Sequence, residues 1–179
     1  PVMSSAASDV YKRQEEYVPF YSIQINVDQR CLIPRPETEY MIEIIKNNIS
    51  APKKILDVGT GSGCIALMMK KLFPDSEVHA VDISNDAITL AKENAEINNL
   101  EVNFYQSDLL TNVEKLDFDL IVANLPYIPT SNLPTLQKEV IDYEPLIALD
   151  GGEDGLLYIN KLLDNLCLLY TSDAADDIT

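Results

Sequence analysis

The sequence predicts an α/β protein, a doubly wound parallel sheet preceded by a short β-hairpin. Three observations carry that prediction. From Lys53 onward, apolar strand segments alternate with amphipathic helical ones, the pattern of a parallel sheet covered by helices on both faces. A glycine-rich turn, Asp57-Val58-Gly59-Thr60-Gly61-Ser62-Gly63, falls where the first of these strands meets the first helix. Asp82 and Asp108 then stand at the ends of the next two strands, on the carboxyl edge where open α/β sheets bind ligands.

In chain order, residues 20–27 (FYSIQINV) alternate as a half-buried strand does. Asp28-Gln29-Arg30 turns and Cys31-Leu32-Ile33 returns, which makes a hairpin. Pro34-Arg35-Pro36 ends it, because proline has no N–H to give a ladder. Residues 37–49 form an amphipathic helix with Met41, Ile44, Ile45 and Asn48 at helical spacing. Glu37 and Glu39 sit in its first turn, where the helix dipole favours acids. Ile55-Leu56-Asp57-Val58 is a buried strand, 64–73 a helix and 77–82 the second strand. Ser84 caps a helix over 86–98 whose Ile88, Ala91, Ala95 and Ile97 face inward. Strands follow at 102–106 and 118–123, then a Pro-rich loop over 125–134, a short helix near 136–140 and another at 156–166. His79, inside the second strand, is expected to be packed rather than catalytic.

At 179 residues and 46% hydrophobic, the chain can bury about 70% of its unfolded surface, so one domain with a core is expected. No apolar run approaches the roughly 18 residues of a membrane span, and no membrane partner is expected. With 29 acids against 13 bases the net charge is -16, which argues against a surface built to track phosphates. A nucleic-acid partner is therefore not expected. Three cysteines are too few for a disulfide framework, and no metal-ligand spacing appears. These features predict a reduced, cytoplasmic protein without a metal.

The two ends do not read as natural coding sequence. A single oligonucleotide that encodes residues 4–14 (SSAASDVYKRQ) also encodes residues 167–176 (CLLYTSDAAD) when its reverse complement is read one base in. It resembles a transposon-type sequencing adapter. Residues 1–14 and 167–179 are thus assigned to an adapter and excluded from the fold, and the natural frame is expected to continue on both sides. The remaining 152 residues, 15–166, lose Asp9, Lys12 and Arg13 at one end and Asp173, Asp176 and Asp177 at the other, and so carry -14.

The glycine turn has the spacing G-x-G-x-G. A dinucleotide fingerprint would want a small residue at position 64 and a phosphate loop would want Gly-Lys-Ser/Thr; Cys64 satisfies neither. Gly59, Thr60, Gly61, Ser62 and Gly63 are candidates for a cofactor that presses on bare backbone. Asp82 is placed to accept both hydroxyls of a ribose or to enter the next helix, and Asp108 to form a turn or to accept from an exocyclic amine. Asn124-Leu125-Pro126-Tyr127 follows the fourth strand of the sheet. The Asn124 and Leu125 carbonyls can accept both hydrogens of a planar –NH2 group, with Tyr127 stacking on its plane. Such a grip would hold the nitrogen toward an electrophilic methyl, catalysis chiefly by orientation.

With these residues in place the chain resembles the S-adenosylmethionine-dependent methyltransferases. Within them it is similar to the peptide-chain-release-factor glutamine methyltransferases, the HemK/PrmC family. The likeness rests on Leu32-Ile33-Pro34-Arg35-Pro36-Glu37-Thr38-Glu39, Asp57 to Gly63, Asp82, Ser107-Asp108-Leu109 and Asn124 to Pro129. It continues through Tyr143-Glu144-Pro145, Ala148-Leu149 and Gly151-Gly152-Glu153-Asp154-Gly155-Leu156. The resemblance implies a Rossmann-like methyltransferase fold over residues 37–166, with 15–36 as a hairpin linker. It also implies S-adenosyl-L-methionine as cofactor and methylation of a glutamine side-chain amide in a release factor.

The family pattern is Asn-Pro-Pro-Tyr, and Leu125 departs from it; Asn-Leu-Pro-Tyr occurs in some RNA adenine methyltransferases. A nucleic-acid adenine methyltransferase and a silent nucleoside-binding module are thus the alternatives. The resemblance further implies a sheet truncated at its C-terminal strands, with its strands in the order third, second, first, fourth, and residues 118–123 left as an open apolar edge.

Overall fold

A computed structural model describes residues 17–113 and 117–171; the expected adapter segment at 1–14 and residues 172–179 lie outside the described residues. Strands β1 (Tyr17–Phe20) and β2 (Ile23–Asn26) form an antiparallel hairpin. Then come α1 (Pro36–Asn48), β3 (Lys54–Val58), α2 (Cys64–Leu72), β4 (Glu77–Asp82), α3 (Asn85–Asn98), β5 (Asn103–Gln106) and β6 (Leu120–Ala123). A 3-10 turn (Thr130–Thr135), α4 (Lys138–Tyr143), a second 3-10 turn (Leu146–Ala148) and α5 (Leu157–Thr171) complete the described chain. Strands β3 to β6 make one parallel sheet in the order β5-β4-β3-β6, the order expected.

The hairpin forms one strand earlier than the sequence reading placed it. Its turn is Tyr21-Ser22, with Tyr21 at φ 55, and residues 23–26 pair back onto 17–20. Pro19 is tolerated because its partner is Gln24, whose N–H and C=O point away from the ladder to Asn98. Asp28-Gln29-Arg30 does turn, the Asp28 carboxylate accepting the Arg30 N–H at 2.8 Å. Cys31 and Ile33 beyond it are buried but lie outside any strand.

Two helix faces also differ. In α1 the buried stripe is Thr38, Ile42 and Ile45, spaced four and three, and Ile44 is exposed. In α3 the buried set is Ala87, Ile88, Leu90, Ala91, Asn94 and Ala95, whereas Ile97 faces solvent. The helix expected near 136–140 begins later, at Lys138, because Pro134 holds the preceding segment in a 3-10 turn and Leu136 is extended. Helix α5 runs on to Thr171, as no proline or glycine stops it at Leu166.

Period-two alternation along β3 splits the core in two. Ile55 joins one cluster with the hairpin, α1 and α2, including Phe20, Ile25, Ile33, Ile42, Leu67 and Met68. Leu56 and Val58 join Val81, Leu125 and Leu162 in the other. The hairpin is thus packed into the core of the sheet. His79 is packed as expected, its ring edge-on to Phe118 and Tyr105 and its Nε2 3.0 Å from Glu77. Among the described residues β6 pairs only with β3.

Candidate cofactor cleft and methyl-transfer site

The parallel ladder brings the carboxyl ends of β3, β4, β5 and β6 to one edge, and the glycine turn lies across it. Gly59 and Thr60 both donate their N–H to the Val81 carbonyl, at 2.8 and 2.9 Å, which pins the turn to β4. Asp57 pins it from beneath: its Oδ2 accepts the Thr60 hydroxyl at 2.6 Å and the Ala66 N–H at 3.2 Å. The Asp82 carboxylate then holds the turn to the start of α3, one oxygen accepting Gly61 N–H and the other Ser84 N–H, each at 2.9 Å.

The three glycines do different work. A Cβ on Gly63 would lie 3.0 Å from that of Ala91, so this glycine lets α3 close on the turn. A Cβ on Gly59 would lie 3.0 Å from Leu125 Cδ2. At Gly61 (φ 54) the nearest atom would be Cys31 Cβ at 3.9 Å, which leaves bare backbone facing open space.

That space is a cleft of about 1020 Å³, part of it open to solvent. Gly59, Thr60, Gly61 and Ser62 line it, with Asp82, Asp108 and Leu109 from the next two strand ends. Asn124, Leu125 and Pro126 line it from the end of β6. Thr60 and Ser62 are buried, so the turn offers the cleft mainly backbone. Leu109 sits at φ 49, an uncommon conformation for a residue with a side chain.

Two expected site residues are not brought in. Gly63 is used against α3, and the Tyr127 ring stands outside the cleft wall, 65% exposed. The Tyr127 backbone is held elsewhere. Ile128 exchanges bonds with Leu149 and Gly151 at 3.1 and 2.8 Å, and a Cβ on Gly151 would lie 2.7 Å from Tyr127 Cα. The Gly151-Gly152…Gly155 run is therefore a packing device for the strand-end loop.

The sequence reading missed the roof. Residues Arg30 to Arg35 line the cleft, with Cys31 nearest Gly61, where the sequence predicts only a stop at Pro34-Arg35-Pro36. Arg30 grips Glu93 of α3 with two bonds, 2.9 and 2.7 Å, and Arg35 meets the nearly buried Glu144 at 3.5 Å. The available signal was charge: an arginine between two prolines and a lone acid in Tyr-Glu-Pro, far apart in sequence.

Burial sets the electrostatics. Asp57 is fully buried, its Oδ1 has no hydrogen-bond partner, and desolvation pushes its pKa up to about 7 against the opposing bonds from Thr60 and Ala66. Asp82 is also raised by burial, less so because Ser84, Gly61 and Ile83 N–H groups favour its charged form. A carboxyl raised on folding holds its proton in the native state while the unfolded chain has lost it. Its contribution to stability is complete below the unfolded value of 3.8 and is lost as pH rises to about 7. Asp57→Asn keeps an acceptor for Thr60 and cannot ionise. Denaturant melts of both proteins at about pH 5 and about pH 7.5 should show the variant gaining on the wild type as pH rises. A constant gap would place the Asp57 pKa in the ordinary range.

A glycine turn on the first parallel strand, a carboxylate at the second and an Asn-x-Pro segment at the fourth share the carboxyl edge of the sheet, the arrangement of an α/β domain of methyltransferase type. The profile of the methyltransferase small domain family matches residues 36–143, and the chain belongs to that family. Two relatives are the release factor glutamine methyltransferase of Lactococcus lactis, 44% identical over 146 residues, and that of Thermodesulfovibrio yellowstonii, 42% identical over 151. The matches cover 81% and 82% of this chain, which spans 54% of each relative's length. Among solved structures, the hMettl16 catalytic domain in complex with an MAT2A 3'UTR hairpin superposes with a TM-score of 0.64 at 14% identity. That match covers 94% of this chain and 74% of the other, a likeness of fold.

Proposed function

We propose that the protein transfers a methyl group from S-adenosyl-L-methionine to the side-chain amide nitrogen of a glutamine in a peptide chain release factor, a substrate met in the cytoplasm. The observation that carries the reading is Asn124, exposed at the end of β6 and lining the same cleft as the glycine turn and Asp82. The names of the relatives support the substrate.

The cleft suits the cofactor. Gly61 has no neighbour within 3.9 Å of where a side chain would start, so its backbone can be approached closely. The Asp82 oxygens accept the Gly61 and Ser84 N–H groups and keep lone-pair capacity for a ribose hydroxyl. Asp108 and Leu109 would flank the base. When bound, the cofactor supplies an electrophilic methyl on a sulfonium. The chain's own part is to orient: the Asn124 side-chain carbonyl and the Leu125 main-chain carbonyl accept the two hydrogens of the glutamine –NH2. Leu125 is suited to this because it uses only its backbone for the substrate while its side chain packs over Gly59. Pro126 stiffens the loop. Tyr127, which the sequence suggested as a stacking platform, would have to swing inward to serve as one.

Leu125 also favours a second reading, an adenine methyltransferase acting on a flipped base. The net charge of residues 15–166, -14, disfavours it. Methyl-transfer assays offering a release factor beside RNA and DNA oligonucleotides decide between them. Label on a glutamine of the release factor alone is expected; label on nucleic acid alone would overturn the reading.

A further inference from the structure

Asn94 lies in the middle of α3 with no solvent exposure. Asparagine is a poor choice for a helix interior, and a buried amide is costly unless it is satisfied. This one is satisfied entirely from outside the helix. Its Oδ1 accepts the Asn26 N–H at 2.8 Å, and its Nδ2 donates to the Asn26 carbonyl at 3.1 Å and to the Ser62 carbonyl at 2.9 Å. One turn on, Asn98 treats Gln24 in the same way, accepting its N–H at 3.1 Å and donating to its carbonyl at 2.7 Å. The two side chains act as a surrogate strand along the outer edge of β2. They differ in one respect: Asn98 spends its other N–H on the Asn94 carbonyl of its own helix, Asn94 on the glycine turn.

Ser62 stands between Gly61, whose N–H is bound by Asp82, and Gly63, which abuts Ala91. A bond to the Ser62 carbonyl therefore fixes the Ser62–Gly63 peptide, one residue on from the Gly61 backbone at the cleft. We propose that Asn94 is a positioning residue for the cofactor: it couples the docking of the β1–β2 hairpin to the shape of the glycine turn, without itself lining the cleft. This rests on the reading that the turn holds S-adenosylmethionine. The coupling is reciprocal, so filling the cleft also tightens the hairpin at Asn26.

Asn98 supplies the control, because Asn98→Ala frees the same hairpin but leaves Ser62 bound. Calorimetric titration with S-adenosylhomocysteine, beside thermal melts, should find Asn94→Ala weakened at least about tenfold in Kd and Asn98→Ala within about threefold of wild type. Equal losses in the two variants would overturn the coupling. Should Asn94→Ala not fold, amide exchange on the wild-type protein decides. The Asn26 N–H should gain more protection than the Gln24 N–H on adding S-adenosylhomocysteine; equal or absent gains would overturn it. Wild-type protein that fails to bind S-adenosylhomocysteine would instead remove the cofactor reading and the coupling together. Binding with no difference between the variants removes the coupling alone.

Discussion

In the full-length enzyme, Asn124→Ala should lower turnover at least about 100-fold and leave the Kd for S-adenosylhomocysteine within about threefold of wild type. The side chain stands at the end of β6, whose residues Leu120, Ile121, Val122 and Ala123 are registered against Ile55, Leu56, Asp57 and Val58 of β3. Its position is therefore set by the sheet and not by a mobile loop. Among the described residues none donates to its side-chain carbonyl, which leaves that oxygen available to a substrate –NH2. Removing it takes away one of two acceptors that fix the plane of the nucleophile. An orientation effect appears in kcat and spares cofactor affinity; comparable losses in both would make Asn124 a cofactor ligand instead.

Asp82→Ala should act in the opposite sense, raising the Kd for S-adenosylhomocysteine by roughly 10- to 100-fold, from charge-assisted bonds of about 1.5–3 kcal/mol each. Two losses combine. The ribose loses its acceptor, and the Gly61 and Ser84 N–H groups lose theirs, which loosens the turn at the point where it bares its backbone. Titration calorimetry measures the loss directly, and unchanged affinity would remove Asp82 from the site. Because burial raises the Asp82 pKa, binding by the wild type should fail toward acid sooner than an ordinary aspartate would dictate.

What the sequence disclosed was the part written in local pattern. Alternation gave β3 and β4, a serine cap gave the start of α3, and three glycines in five residues gave the turn. The Ser84 hydroxyl does accept the Ala87 N–H, at 3.2 Å. What stayed hidden depends on partners far along the chain. The hairpin register was misplaced because YVPF and CLI flank residues 23–26 with equal apolar character. Only the pairing of β2 with α3 through Asn94 and Asn98 explains how Pro19 can sit opposite Gln24. The roof over the cleft escaped notice because Arg35 finds Glu144 across 109 positions. The outward stance of Tyr127 is imposed by the backbone of residues 149–151, which no reading of Asn-Leu-Pro-Tyr alone contains.

The most direct test of the cleft is an experimental structure of the protein with S-adenosylhomocysteine bound. The expected result places both ribose hydroxyls on the Asp82 carboxylate, the amino-acid end along the Gly61 backbone, the adenine beside Asp108 and Leu109, and the sulfur facing Asn124. A nucleoside seated elsewhere, or one whose ribose turns away from Asp82, would contradict it.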